Sequence, residues 1–202
     1  MGEDRAKLAA LVGSRLCHDL ISPVGAIQNG LELMGLAGPG PHEAELSLIQ
    51  QSCDNASARI RFFRVAFGAA SQTQLVGQRD VLKLLDDINE NGRISTVWQP
   101  AGDLPRCDVQ LAFLAFLCCE SALPQGGTVG FSHGADGWTI TATGPRFKVE
   151  EDLWAHFDKV MPLDDVTPGR VQFALLSVLA HDAGRAIQAR VDDAQIAISI
   201  AA

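Results

Sequence analysis

The chain has 202 residues, 47% of them apolar and 20% charged, with a formal net charge of −8. That balance suits a globular protein with a sizeable core, and no run reaches the roughly 18 consecutive apolar residues of a membrane span. The acidic surplus lies late, residues 1–72 carrying six Lys/Arg against seven Asp/Glu and residues 73–202 ten against seventeen, which disfavours bulk binding of nucleic acid, since that needs a basic face.

In the first third, Gly13, Cys17, Leu20, Val24, Ile27, Leu31 and Met34 recur at steps of three and four, the heptad seam of a helix. "GLAGPGP", Gly35 to Pro41, breaks the pattern. It resumes at Leu46, Ile49, Cys53, Ala56, Ile60, Phe63 and Phe67. The expectation is an antiparallel helical hairpin over residues 1–72, turning near residues 38–39. Flanking apolar residues, namely Leu11, Leu16, Ile21, Leu33, Leu48 and Phe62, are left for a second copy. This predicts a homodimer held by a four-helix bundle.

From about Gln72 the period changes. "ISTVWQ" (Ile94 to Gln99), "TVGFSH" (Thr128 to His133), "WTITAT" (Trp138 to Thr143), "AIQARV" (Ala186 to Val191) and "QIAISI" (Gln195 to Ile200) read as strands. "DVLKLLDDIN", "VQLAFLAFLCCESAL" and "RVQFALLSVLAHD" read as helices. Turns at "GADG" and "DDA" imply two hairpins, hence a mixed sheet with helices on one face. The fold class is α+β: a helical hairpin followed by an α/β sandwich over residues 73–202.

Cys17, Cys53, Cys107, Cys118 and Cys119 form no CxxC, and the histidines at 18, 42, 133, 156 and 181 lack ligand spacing. Neither a metal site nor a disulfide scaffold is expected. Cys17 and Cys53 fall on seam positions, where thiols act as small hydrophobes in a reducing compartment. With the charged start "MGEDRAKLAA", which is unlike a secretory signal, this points to the cytoplasm.

One residue stands out against this background. His18 lies about 100° around the helix from Cys17, so its imidazole projects from the flank of the seam. Ser22, Gly25 and Asn29 share its stripe and are small or polar. A glycine inside a helix costs roughly 1 kcal/mol relative to alanine, so Gly25 suggests clearance for an approaching partner. A neutral imidazole is a competent nucleophile near pH 7, and its phosphorylation gives a reactive phosphoramidate. Asp19 is placed to orient or deprotonate it. Pro23 removes a backbone donor one turn later and favours a bend. A surface histidine without chemistry is the plain alternative.

His18-Asp19-Leu20-Ile21-Ser22-Pro23 resembles the H-[E/D]-x-x-[S/T/N]-P motif on the phosphotransfer helices of sensor histidine kinases. "SRLCHDLISPVGAIQNGLELM" with "ARIRFFRVAFGAA" is similar to the ChpT-type histidine phosphotransferases of bacterial phosphorelays, a likeness extending over essentially the whole chain. The resemblance implies a dimeric bundle in which His18 is phosphorylated. It further implies that this residue shuttles phosphoryl groups between the receiver aspartate of an upstream hybrid kinase and downstream response regulators, the receiver supplying magnesium. A turn near residues 38–39 sets His18 level with Arg59, beside Arg61 and Arg64, where a cation meets the phosphoryl group or the acidic receiver pocket. Arg15, Ser22, Gly25, Gln28, Arg59 and Phe62 are the expected partner-binding residues.

The second half resembles the Bergerat, or GHKL, ATP-binding sandwich, but without its nucleotide motifs. Aligned on "ESALPQGGTV", Cys118 and Cys119 occupy the Asn-Ala positions of the magnesium-binding box. In "TATGPRFKV", Ala142 replaces the adenine-reading aspartate and Arg146 a glycine, and the lid shrinks to "TPGRVQFALL" with Gly169 alone. No cofactor is therefore expected in this chain. Two other readings stay open: a divergent ATP-using kinase core, and a module that binds a kinase or regulator without carrying phosphate.

Overall fold

A computed structural model describes residues 2–37, 40–90, 92–155, 157, 163 and 166–202. Helix α1, Gly2–Ala37, and helix α2, Glu43–Ala66, form the expected antiparallel hairpin. The turn near residues 38–39 lies outside the described residues. The facing seam on α1 runs through Leu20, Pro23, Ile27, Gly30 and Met34, each at least half-buried. Gly30 is required there, because a Cβ on it would sit 2.6 Å from Cγ1 of Ile49. Its absence lets the two helices approach closely.

The heptad reading needs correcting at its alternate positions. Gly13, Cys17, Val24 and Leu31 are exposed rather than internal, and on α2 so are Leu46 and Ile60. On this flank neither hairpin helix has a neighbour other than its partner, so a wide apolar stripe has an inner edge that packs and an outer edge that does not.

The sandwich follows: β1 (Leu75–Val76), α3 (Gln78–Asn89), β2 (Ile94–Trp98), β3 (Leu104–Pro105), α4 (Arg106–Ala122), β4 (Gly127–Gly134) and β5 (Gly137–Thr143). Then come α5 (Glu151–Trp154), a 3-10 turn (Pro168–Arg170), α6 (Val171–Asp182), β6 (Ile187–Val191) and β7 (Ile196–Ala201). The five-stranded sheet has the order β2-β4-β5-β7-β6, with β2 and β4 parallel and the other neighbours antiparallel. All five strands read from the sequence are present. The two-residue β1–β3 ribbon was not foreseen, being too short for alternation to show.

The sandwich and the base of the hairpin share one core. Phe62 of α2 stacks on Phe113 of α4 with ring centroids 4.5 Å apart, and Phe116 carries the contact to Phe131 on the sheet. Helix α4 is covered by α2 on one side and the sheet on the other, so every residue from Asp108 to Cys119 is buried. Both polar side chains of that run, Asp108 and Gln110, are paired, as burial demands. Asp108 meets Arg185, and the Gln110 amide donates to the carbonyls of Ala66 (3.1 Å) and Gly68 (2.7 Å), closing the end of α2.

Candidate functional site

Four side chains from two helices meet on the hairpin flank. The His18 side chain is 83% exposed, whereas Asp19 beside it is 9% exposed. Nδ1 of His18 lies 3.1 Å from Oδ1 of Asp19. A carboxylate only accepts hydrogen bonds, so this contact puts the ring proton on Nδ1 and leaves the lone pair of Nε2 free. The other oxygen, Oδ2, accepts from Nε of Arg15 at 2.7 Å, and Nη1 of Arg59 stands 3.9 Å away. Arg59 is in turn steadied on its own helix, its Nε donating to Asn55 at 3.0 Å.

Sequence spacing accounts for part of this. Arg15 and Asp19 are one helical turn apart, so they share a face of α1. Arg59 reaches Asp19 across the hairpin, as the level pairing of His18 with Arg59 requires. Pro23 is buried on the seam, and α1 continues through it. Proline has no amide hydrogen, so the Asp19 carbonyl goes without its usual helical donor.

An open groove of about 790 Å³ runs beside the imidazole along α1 and α2 to the end of α3, lined by His18, Asp19, Ser22, Arg59, Asp87 and Glu90 among others. Ser22 stands exposed at its edge, and Gly25 has open space where a side chain would be. Gln28 is exposed on the stripe that carries Val24 and Leu31, not on the groove. Phe62 must be reassigned, because it is 0% exposed and stacked on Phe113, which leaves nothing for a partner to touch. Arg61 is tied to Asp87 of α3 at 2.9 Å, and Arg64 lines a separate pocket of about 240 Å³.

The sandwich contributes groups that sequence reading did not assign. Arg15 reaches past Asp19, its Nη1 donating to the Gly169 carbonyl at 2.9 Å. Glu120 at the end of α4 faces the same charges: burial raises its carboxyl above the ordinary range, Arg59 and Arg15 pull it down, and Asp19 pushes it up. No local motif signals either contact, because the partners lie far apart in the chain.

At the positions where the resembling kinases hold nucleotide, the packing is tight. Cys118 and Cys119 are fully buried, and burial pushes the Cys119 thiol up to about 12 and raises that of Cys118. Ala142 is fully buried on β5 between Val129 and Ile196. Arg170 pairs with Glu150, and Arg146 is exposed.

Residues 78–195 match the family described as histidine phosphotransferase C-terminal domain. The protein phosphotransferase ChpT of Brucella abortus (strain 2308) is 35% identical over 186 residues, covering 89% of this chain and 88% of that protein. A solved structure of a bacterial phosphotransferase is 33% identical and superposes with a TM-score of 0.79 over 96% of this chain and 95% of that one. The histidine kinase AdeS of Acinetobacter baumannii is 12% identical, with a TM-score of 0.47 over 91% of this chain and 95% of that one.

Proposed function

The chain belongs to the histidine phosphotransferase family, and from that premise we propose that His18 is the residue that carries the phosphoryl group. The observation that carries this reading is an exposed imidazole whose Nδ1 is engaged by Asp19, so that Nε2 is presented to solvent with its lone pair free. In the forward step Nε2 attacks the phosphorus of an aspartyl phosphate on a partner receiver domain. The P–N bond forms as the P–O bond breaks, and the receiver carboxylate leaves. The proton stays on Nδ1, hydrogen-bonded to Asp19, whose carboxylate offsets the positive charge that the ring acquires. In the reverse sense, the carboxylate of another receiver attacks phosphorus and Nε2 leaves.

A phosphotransferase of this family works with the kinases and response regulators of two-component signalling. The finer assignment is to the receiver of a hybrid kinase upstream and to response-regulator receivers downstream, with magnesium held by the receiver. Arg59, Ser22 and Gly25 lie at or beside the groove such a domain would enter, and Arg59 brings a cation to the groove wall that His18 shares. The fitting location is the cytoplasm, where such receivers work, and no described helix is long and apolar enough to cross a membrane.

A second copy completes the bundle. Ile21, Val24 and Leu31 on α1, with Leu46 and Ile60 on α2, are between 47% and 70% exposed, an outer seam of the kind that a paired hairpin covers. The sandwich is assigned no nucleotide, because Cys118 and Ala142 are sealed in the core and the Gly169 carbonyl is already bonded to Arg15. Calorimetry with magnesium and ATP should show no saturable binding at millimolar nucleotide; micromolar binding would favour a kinase instead.

The deciding experiment is incubation with a phosphorylated receiver domain, followed by localisation of the label. Acid-labile phosphate on His18 is expected. Label elsewhere, or none, overturns the assignment.

A further inference from the structure

Arg15 bridges the two halves of the molecule. One branch of its guanidinium meets Oδ2 of Asp19 at 2.7 Å and another meets the Gly169 carbonyl at 2.9 Å, with the side chain only 16% exposed. Asp19 spends its second oxygen on Nδ1 of His18 at 3.1 Å. The far anchor is firm. The Gly169 carbonyl also accepts from the amide of Gln172 at 3.2 Å, and Gln172 is fully buried on α6. The next residue, Arg170, is paired with Glu150. A continuous line of polar contacts thus runs from the buried start of α6 through the 3-10 turn to the imidazole.

We propose that Arg15 is a positioning residue, through which the α/β sandwich holds Asp19 and so fixes the tautomer and orientation of His18. The proposal rests on the reading of His18 as the phosphoryl carrier. It gives the second half of the chain a task that needs no nucleotide: its shortened lid turn serves as the abutment for the hairpin's reactive pair. Arg15 serves its two acceptors from two nitrogens held at a fixed spacing in one plane, which the single nitrogen of an ammonium group does not reproduce. If Asp19 swings free, the ring relaxes toward the mixture of tautomers found in free histidine, in which Nε2 carries the proton more often than Nδ1, and the nucleophilic lone pair is lost.

The test uses the full chain with 15N-labelled histidine. In the unaltered protein, the shifts of His18 should report an unprotonated Nε2 and a protonated Nδ1 above neutral pH; in Arg15→Gln they should move toward averaged values. Single-turnover transfer from a phosphorylated receiver should slow by about tenfold to a hundredfold at saturating receiver. The half-saturating concentration should stay within about twofold. If half-saturation rises while the tautomer and the saturated rate hold, Arg15 is a partner contact and the proposal fails. It fails equally if a folded variant keeps all three values. Arg15→Lys, which retains a cation beside Asp19 without the fork, supplies the same readings should Arg15→Gln not fold, with intermediate values expected and unaltered ones counting against the idea. If unaltered protein takes no label on His18, the carrier reading falls, while the nitrogen shifts still decide whether Arg15 governs the ring.

Discussion

The outer edge of α1 and the interior of α4 make opposite use of apolar sequence. On α1, Ile21 is 70% exposed and Leu31 56%, and His18 projects beside that stripe. On α4, a run of similar composition is buried without interruption from Asp108 to Cys119, including two thiols where the resembling kinases carry a magnesium ligand. On the proposed reading, the unfinished surface carries the chemistry and the contacts to other chains, and the finished one provides support. Close packing of that kind makes the finished region rigid.

This contrast can be broken in several ways. The largest effect is expected at the most exposed point: His18→Gln should abolish phosphoryl acceptance while shifting the melting temperature by no more than about two degrees, since an exposed helical side chain has few contacts to lose. Labelling with a phosphorylated receiver and a thermal melt check both halves. On the same edge, Ile21→Asp with Val24→Asp should convert a dimer to a folded monomer, read by light scattering and circular dichroism. A double variant that stays dimeric would show that this edge is not the seam.

The opposite region should respond in stability rather than assembly. Phe62→Ala removes a ring stacked between α2 and α4 and should cost about 3–5 kcal/mol in denaturant unfolding. Alkaline pH probes the buried thiols. Cys119 has its folded pKa raised to about 12 from 9.0, and Cys118 moves in the same direction. The folded state thus holds protons that the unfolded chain releases, so this stabilisation is complete below about pH 9 and is lost as pH rises through the folded value. The expected slope is about 1.4 kcal/mol per pH unit for each thiol. Cys119→Ala should flatten it by one thiol's share.

The smallest effect returns to the hairpin. A Cβ on Gly25 meets nothing within 4 Å, so Gly25→Ala should stabilise α1 by roughly 0.5–1 kcal/mol. Slower transfer from a receiver, despite that gain, would show that the gap is kept for the partner.

What could be read from the sequence followed the range of the interactions involved. The strands appeared within a residue or two of their ends because alternation and turn residues such as "GADG" act locally. The Asp19 contact to His18 was legible for the same reason, and Arg59 followed from hairpin geometry. The seam on α1 was misread because a three-four repeat does not say which of its edges finds a neighbour. Phe62 was misplaced because its burial depends on Phe113, a residue 51 positions later that no periodicity within α2 reveals. The bond from Arg15 to Gly169, and the charges around Glu120, arise only once distant helices have packed.

That longest contact also sets a schedule. Arg15 and Gly169 are separated by 154 positions, and a ribosome adding about 5–20 residues per second makes them on the order of 10–30 s apart. Helix α2 ends at Ala66, so for roughly the last two-thirds of that interval the whole hairpin has been made, yet the turn against which Arg15 rests has not. On the role proposed for Arg15, a nascent chain holds His18 in place for phosphate only once its C-terminal half has folded behind it.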